Sequence, residues 1–379
     1  MKNIFIVTGE VSGDQRGAEL FRELKKIRPD LNCFCVGGDE LERAGAELIE
    51  HIKNMSIVGL LDVIRNLGKI KKQFQKCEQE IIKRKPDAVI LIDYPGFNLR
   101  LAKFIKKQGI PVIYYIIPQV WAWHESRVEQ LREDTDKIIV LFDFEIDFLK
   151  KHGINASFAG HPLIDKLPND NAVIDKDKVK KIALLPGSRN EEVKRLFPAM
   201  LETANAIQKR SQEKIIFVIN KAINVEPMLY EDTIKKHKKN IELQIVSGDT
   251  LEILKECSFA IVTSGTATLE TALMQVPHVI VYKSSFLLGA VGYFIVKSHV
   301  KYMGIANIIL GEEVAPEFLQ WNIVPKKMAD KIYEIMSSPE KNNYIKNKYK
   351  ELKNKLGEKG SAQRAAKIVN EFLEQHDKI

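Results

Sequence analysis

No apolar run in this chain is long enough to cross a membrane. The longest, residues 284–296, has 13 residues, where a spanning helix needs about 20. The opening Met1-Lys2-Asn3-Ile4-Phe5-Ile6-Val7 is too short for a signal peptide and reads as a first strand. The expectation is a cytoplasmic protein without a membrane span. Cysteine is scarce too, with only Cys33, Cys35, Cys77 and Cys257. Cys33 and Cys35, two apart on an expected strand, share a face and cannot conveniently bridge, and no pair has zinc-site spacing. They read as small core residues in a reducing compartment, and no metal or other cofactor is expected. Basic runs interleaved with aromatics are few. Nucleic acid therefore ranks below phosphorylated metabolites and an anionic membrane face as a partner for a chain of net charge +8. Gly-x-Gly-x-x-Gly after the first strand and a Walker lysine are also missing, which weakens a dinucleotide or P-loop reading.

What is present is an alternation of strands and helices, given twice over. In the first half, apolar runs at 4–8, 33–36, 88–92, 112–116, 138–141 and 156–158 alternate with amphipathic stretches at 17–27, 57–85, 99–107 and 144–151. Continuous apolar strands separated by helices predict a parallel sheet covered on both faces. A polar stretch around Pro168 reads as a linker, and a second series follows at 182–185, 215–219, 243–246, 260–262 and 278–282. The predicted class is α/β, with two Rossmann-like parallel-sheet domains facing a central cleft. The expected division is 1–165 (acceptor and membrane side), a linker at 166–180, 181–340 (nucleotide-sugar side) and C-terminal helices at 341–379. Those last helices are free to pack on either domain or to cross to a second subunit of a homodimer. Parallel sheets bind ligands at the carboxyl ends of their strands, so chemistry is sought in the strand-to-helix loops.

The most informative loop is Ser264-Gly265-Thr266-Ala267-Thr268-Leu269-Glu270. A small-residue turn there leaves amides unpaired at the positive end of a helix, ready for a phosphate, with Glu270 placed to reach an attached sugar. A tight connection whose hydroxyls only cap the helix accounts for it equally well. Leu185-Pro186-Gly187-Ser188-Arg189 repeats the logic, with Gly187 and Ser188 offering amides and Arg189 a fork of donors. In the first half, Gly9 and Gly13 of Gly9-Glu10-Val11-Ser12-Gly13-Asp14 allow close approach to the backbone, while Ser12 or Asp14 is expected to cap the helix. Asp93 ends an apolar strand ahead of Tyr94-Pro95-Gly96-Phe97-Asn98 and is a candidate general base, or else a helix cap. Trp121 and Trp123 with His124 follow another strand, Gly160-His161-Pro162 is a candidate hinge, and Asn307 and 316–320 are candidate polar groups at the cleft. Ile57, Val58, Leu60 and Leu61, followed by cations, fit an acyl or membrane contact, although their helical spacing also fits plain core.

Taken together and in order, these motifs resemble the lipid-A-disaccharide synthases, a GT-B glycosyltransferase family. The resemblance rests on 9–14, 92–98, 118–123, 160–162, 185–189, 264–270 and Asn307, and so spans essentially the whole chain. It implies transfer of 2,3-diacylglucosamine from UDP to 2,3-diacylglucosamine 1-phosphate (lipid X), giving a β-1,6 disaccharide and UDP with inversion. It makes Asp93 the base for the acceptor 6-hydroxyl, and gives Arg189 and the turn at Ser264, Gly265 and Thr266 the departing UDP. Glu270 would hold the ribose, and Asn307 the nucleotide or donor sugar. Gly9, Glu10, Ser12, Gly13, Trp123 and His124 would line the acceptor side. The acylated substrates favour a peripheral, anionic membrane contact for Ile57, Val58, Leu60 and Leu61, on the cytoplasmic face of the inner membrane. Two rivals share the architecture. A muramyl-lipid N-acetylglucosaminyltransferase would need a glycine-rich first loop, which Glu10 and Asp14 interrupt. A UDP-sugar epimerase would need more acid–base groups and no acyl groove.

Overall fold

The computed structural model describes residues 2–54, 67–121, 126–168, 180–283 and 301–376. The chain forms two compact units, Met1–Asp165 with Leu356–Ile379, and Lys166–Lys355.

The first unit is built on seven strands: β1 (Asn3–Val7), β2 (Asn32–Gly37), β3 (Glu47–His51), β4 (Ala88–Ile92), β5 (Val112–Tyr115), β6 (Lys137–Val140) and β7 (Ala156–Phe158). They pair in parallel in the order β3-β2-β1-β4-β5-β6-β7. The continuous apolar runs are explained by helices on both faces. Ile4, Ile6, Ile90 and Ile92 point to one side, where they share a core with Ala365, Val369 and Phe372 of the last helix, Ser361–His376. Phe5, Val7, Val89 and Leu91 point to the other, against Cys77, Ile81, Phe97 and Leu101. This is the two-residue period of a strand read on a sheet with no wet face. Cys33 and Cys35 do share a face, and all four cysteines are buried and outside any disulfide.

The second unit has β8 (Lys181–Leu185), β9 (Ile216–Asn220), β10 (Glu242–Val246), β11 (Phe259–Thr263), β12 (His278–Tyr282) and β13 (Glu317–Leu319). Their order is β10-β9-β8-β11-β12-β13, again all parallel. Two strands, β3 and β13, are not expected from the sequence. Both lie at sheet edges, are only half-buried and carry glutamates, so neither shows the apolar run that marks the central strands.

Helix Pro339–Lys355 belongs to the second unit, where the buried Tyr349 hydroxyl meets Nδ1 of His278 at 3.0 Å. The next helix, Ser361–His376, belongs to the first unit and packs on helix Val11–Ile27. Arg28 Nε donates to Asn370 Oδ1 at 2.5 Å, and Arg364 Nε donates to the Ala159 carbonyl at 2.8 Å. Among the described residues no helix is long and apolar enough to cross a membrane.

Candidate active site

In each sheet the connections run opposite ways from one central pair, β1 and β4 in the first unit and β8 and β11 in the second. The loops leaving the carboxyl ends of such a pair diverge, and a crevice opens between them. Four of the loops singled out in the sequence, 9–14, 93–98, 187–189 and 264–270, lie at these two switch points.

In the first unit, Gly9 follows β1 and lies directly beneath the ring of Tyr94, which follows β4. A Cβ on Gly9 would come within 2.1 Å of that ring. Glycine is therefore required here for packing between the two loops. The helix then begins at Val11, earlier than the sequence indicated, and neither Ser12 nor Asp14 caps it: Glu10 is its N-cap, without a side-chain hydrogen bond. Ser12 and Glu10 are exposed. Asp14 is buried and caps a different helix, accepting N–H bonds from Gly38 (2.6 Å), Glu40 (3.0 Å) and Leu41 (3.2 Å).

Asp93 and Tyr94 are consecutive non-glycine residues in the left-handed region, with φ of 49° and 47°. Such backbone persists only where its surroundings hold it. The Asp93 carbonyl accepts from Asn98 Nδ2 and from the Tyr114 hydroxyl, both at 2.8 Å, while its N–H donates to the Tyr115 carbonyl at 3.2 Å. The peptide is thus fixed from three sides, and the carboxyl is left to a cavity of about 290 Å³ lined also by Pro95, Ile117, Gln119, Arg127, Phe142 and Glu145. Burial, aided by the charge of Glu10, pushes Asp93 up to about 6. It does not cap the following helix, whose N-cap is Tyr94 with no side-chain bond.

Glu145 is a carboxylate that sequence reasoning missed. It is buried in the helix Phe144–Lys151, accepts from Trp121 Nε1 at 3.1 Å and the Phe142 N–H at 3.2 Å, and is pushed by burial up to about 7. An acidic residue inside an amphipathic stretch looks solvated in a sequence, and only its environment marks it. Trp121 therefore holds one residue of this wall, whereas Trp123 and His124 lie outside the described residues. His161 is half-buried beside Phe142, accepts the Leu163 N–H at Nδ1, and is lowered by desolvation to about 3, so it is a neutral structural imidazole.

In the second unit one pocket of about 380 Å³ collects Gly187, Ser188, Arg189, Ser264, Gly265, Thr266 and Glu270, and adds Glu192, Asn220 and Thr250. Gly265 is the N-cap of helix Thr266–Leu273 with φ 151° and ψ −163°, a conformation essentially confined to glycine, and no side chain caps the helix. The hydroxyls therefore do not cap this helix. Thr268 Oγ1 instead donates backwards to the Gly265 carbonyl at 2.7 Å. The Ser264 N–H is taken by the Val281 carbonyl, so the turn offers amides from Gly265 onward together with the Ser264 hydroxyl. Thr263 Oγ1 is buried in the same wall without a partner among the described residues. Glu270 is half-buried, and its carboxyl is raised above the ordinary value, chiefly by burial and then by Asp249.

At the other side of this pocket a carboxylate already occupies the turn. Glu192 Oε2 accepts the Ser188 N–H at 3.0 Å, while Oε1 pairs with Arg189 Nη1 at 3.3 Å. A Cβ on Gly187 would meet Glu192 Oε2 at 2.5 Å.

Asn307 is not brought to this pocket. It is fully buried, donates to the Ala315 carbonyl and Glu317 Oε1, and accepts the N–H groups of Val314 and Ala315, which saturates its amide. Glu317 completes the brace by accepting from Met303 and Gly304. The side chain thus braces the 303–317 loop. Ile57, Val58, Leu60 and Leu61 lie outside the described residues. Among the described residues no group of three or more His, Cys, Asp or Glu side chains is placed to hold a metal.

Two doubly wound parallel units, each with its loops at a switch point, define the GT-B architecture. Solved structures with this fold include MurG of Acinetobacter baumannii (TM-score 0.63, 12% identity, 98% of this chain and 100% of that one). A second is the UDP-GlcNAc 2-epimerase of Neisseria meningitidis bound to UDP-GlcNAc (TM-score 0.59, 15% identity, 99% and 100%). At such identities the likeness shows the fold alone, so both rival readings remain neighbours in architecture. Sequence separates them. The lipid-A-disaccharide synthetase family model matches residues 4–372, and "Lipid-A-disaccharide synthase 1" of Legionella pneumophila (strain Lens) is 37% identical over 366 residues, covering 93% of each chain. The chain belongs to the lipid-A-disaccharide synthetase family and is a glycosyltransferase.

Proposed function

We propose that the protein joins 2,3-diacylglucosamine from its UDP derivative to the 6-hydroxyl of 2,3-diacylglucosamine 1-phosphate, releasing UDP. What supports this division of roles is Asp93, whose affinity for a proton is raised to about 6 in a cavity at the end of β4. A base of that strength is ionised at neutral pH and still takes a proton as an alcohol attacks. In the proposed step the acceptor oxygen bonds to the anomeric carbon, its proton passes to Asp93, and the bond to UDP breaks on the opposite face, inverting configuration. Charge then grows on the diphosphate. The open amides after Gly265, the Ser264 hydroxyl and Arg189 are suited to receive it, and Glu270 to bind the ribose.

Both substrates are lipids, and we extend the reading to a peripheral contact with an anionic membrane, the cytoplasmic face of the inner membrane, through Ile57, Val58, Leu60 and Leu61. Its support is the apolar run and the net charge of +8. A homodimer is proposed on the sequence reading alone, with sedimentation as its check. The decisive experiment incubates purified protein with both sugar lipids and follows UDP and lipid mass. A tetra-acyl disaccharide phosphate formed one-for-one with UDP is the expected result. UDP release without disaccharide would refute the acceptor assignment.

A further inference from the structure

The cavity that holds Asp93 also holds a cation that has no partner among the described residues. Arg127 is half-buried in its wall, and among the described residues no hydrogen bond or ion pair engages its guanidinium. Its charge is felt at Tyr114, the residue whose hydroxyl donates to the Asp93 carbonyl. Neither carboxyl of the cavity neutralises it. Asp93 and Glu145 are both held up by burial, and Arg127 is not among the groups that lower either. The remaining wall includes Pro95, Ile117, Leu141 and Phe142, which offer a guanidinium no hydrogen bond from their side chains.

Local structure does not account for the residue either. Arg127 lies in the first turn of helix Ser126–Asp134, where the helix dipole opposes a positive charge. Partly desolvating an unpaired cation costs free energy that neither helix stability nor packing returns. An anion bound in the cavity would return it. A guanidinium fork matches phosphate oxygens two at a time.

We infer that Arg127 is the receptor for the phosphate of the acceptor, an assignment that rests on the acceptor proposed above. That molecule carries a phosphate at carbon 1 and the reacting hydroxyl at carbon 6, borne by the two ring carbons that flank the ring oxygen. Arg127 takes the phosphate and Asp93 takes the hydroxyl proton, so the pair fixes both the choice of acceptor and which of its hydroxyls meets the base. The site is selective for a sugar lipid bearing an anomeric phosphate over its dephosphorylated counterpart.

The test compares the acceptor 1-phosphate with the same lipid lacking phosphate, using wild-type protein, Arg127→Ala and Arg127→Lys, with UDP affinity as the control for folding. The expected result for Arg127→Ala is a rise of roughly 10- to 100-fold in KM for the phosphorylated acceptor, the range for losing a charged hydrogen bond. Preference for the phosphorylated lipid should collapse and UDP affinity should stay unchanged. Arg127→Lys should recover part of the preference. If Arg127→Ala keeps the preference, or loses turnover with acceptor KM and preference intact, the assignment is overturned. Should Arg127→Ala fail to bind UDP, Arg127→Lys alone decides: full preference with an unchanged acceptor KM overturns the assignment, and a partial loss supports it. Wild-type protein that makes no disaccharide overturns the functional reading itself, and this assignment with it.

Discussion

The two switch points have the same topology and opposite chemistry. At β1 and β4 the loop is strained and the Asp93 carbonyl is satisfied, which leaves a desolvated carboxyl, Asp93, and a guanidinium, Arg127, unpaired among the described residues. At β8 and β11 the strain falls on a glycine, the helix end is uncapped, and the nearby guanidinium is paired with Glu192. One site controls a proton through burial. The other presents an uncapped helix end, whose donors the proposed function gives to the departing diphosphate. The same sheet order thus fixes where a ligand goes without fixing what the residues there do to it.

The sharpest way to break this comparison is Asp93→Asn, which keeps the shape and removes the base. Turnover should fall about 10²- to 10⁴-fold, the usual range for general-base catalysis, with UDP affinity unchanged. In the wild type, kcat/KM should rise with pH and level off above an inflection near 6, because only the ionised carboxylate accepts the proton. A flat profile between pH 5 and 8 would remove Asp93 as the base. Arg189→Ala should reduce kcat/KM for the donor by roughly 10- to 100-fold, with kcat falling and donor KM rising together. Unchanged kcat would mean that Arg189 makes no contact specific to the transition state.

Smaller effects sharpen the contrast. Glu145, pushed up to about 7, favours its protonated form in the folded chain, since its unfolded value is near the ordinary 4.5. Its contribution should therefore be complete below about 4.5 and lost as pH rises through 7, a decline on the order of 1–3 kcal/mol. Glu145→Gln should flatten that part of a denaturant-derived stability profile, and an unaltered slope would show that Glu145 ionises freely. Last, Glu192 lies on the same Ser188 amide and Arg189 guanidinium that the proposed function assigns to a diphosphate. Glu192→Gln should bind UDP a few-fold more tightly while uridine affinity stays the same, as measured by calorimetry. Weaker UDP binding would instead make Glu192 a support that orients Arg189.

Central strands were legible because they are apolar throughout, and so were the loops between them, since glycine, serine and proline interrupt those runs. The edge strands Glu47–His51 and Glu317–Leu319 were not, because a half-buried edge has no apolar run to betray it. Asp14 shows the limit for single residues. Its position after Ser12-Gly13 matches a local cap, yet its carboxylate caps a helix that begins 25 residues later. Asn307 shows the same limit, since nothing in its neighbours tells that four backbone and side-chain groups will engage its amide.

By itself the sequence determined the class of fold, the two-unit plan and the family, because alternating apolar runs and ordered motifs are properties of the chain read along its length. Tertiary structure alone decided which carboxyls are basic, which cation is free and which turn is open. Those properties depend on burial and on partners distant in sequence: Glu145 against Trp121, Arg127 in the wall beside Asp93, and the last helix returning to cover the first sheet.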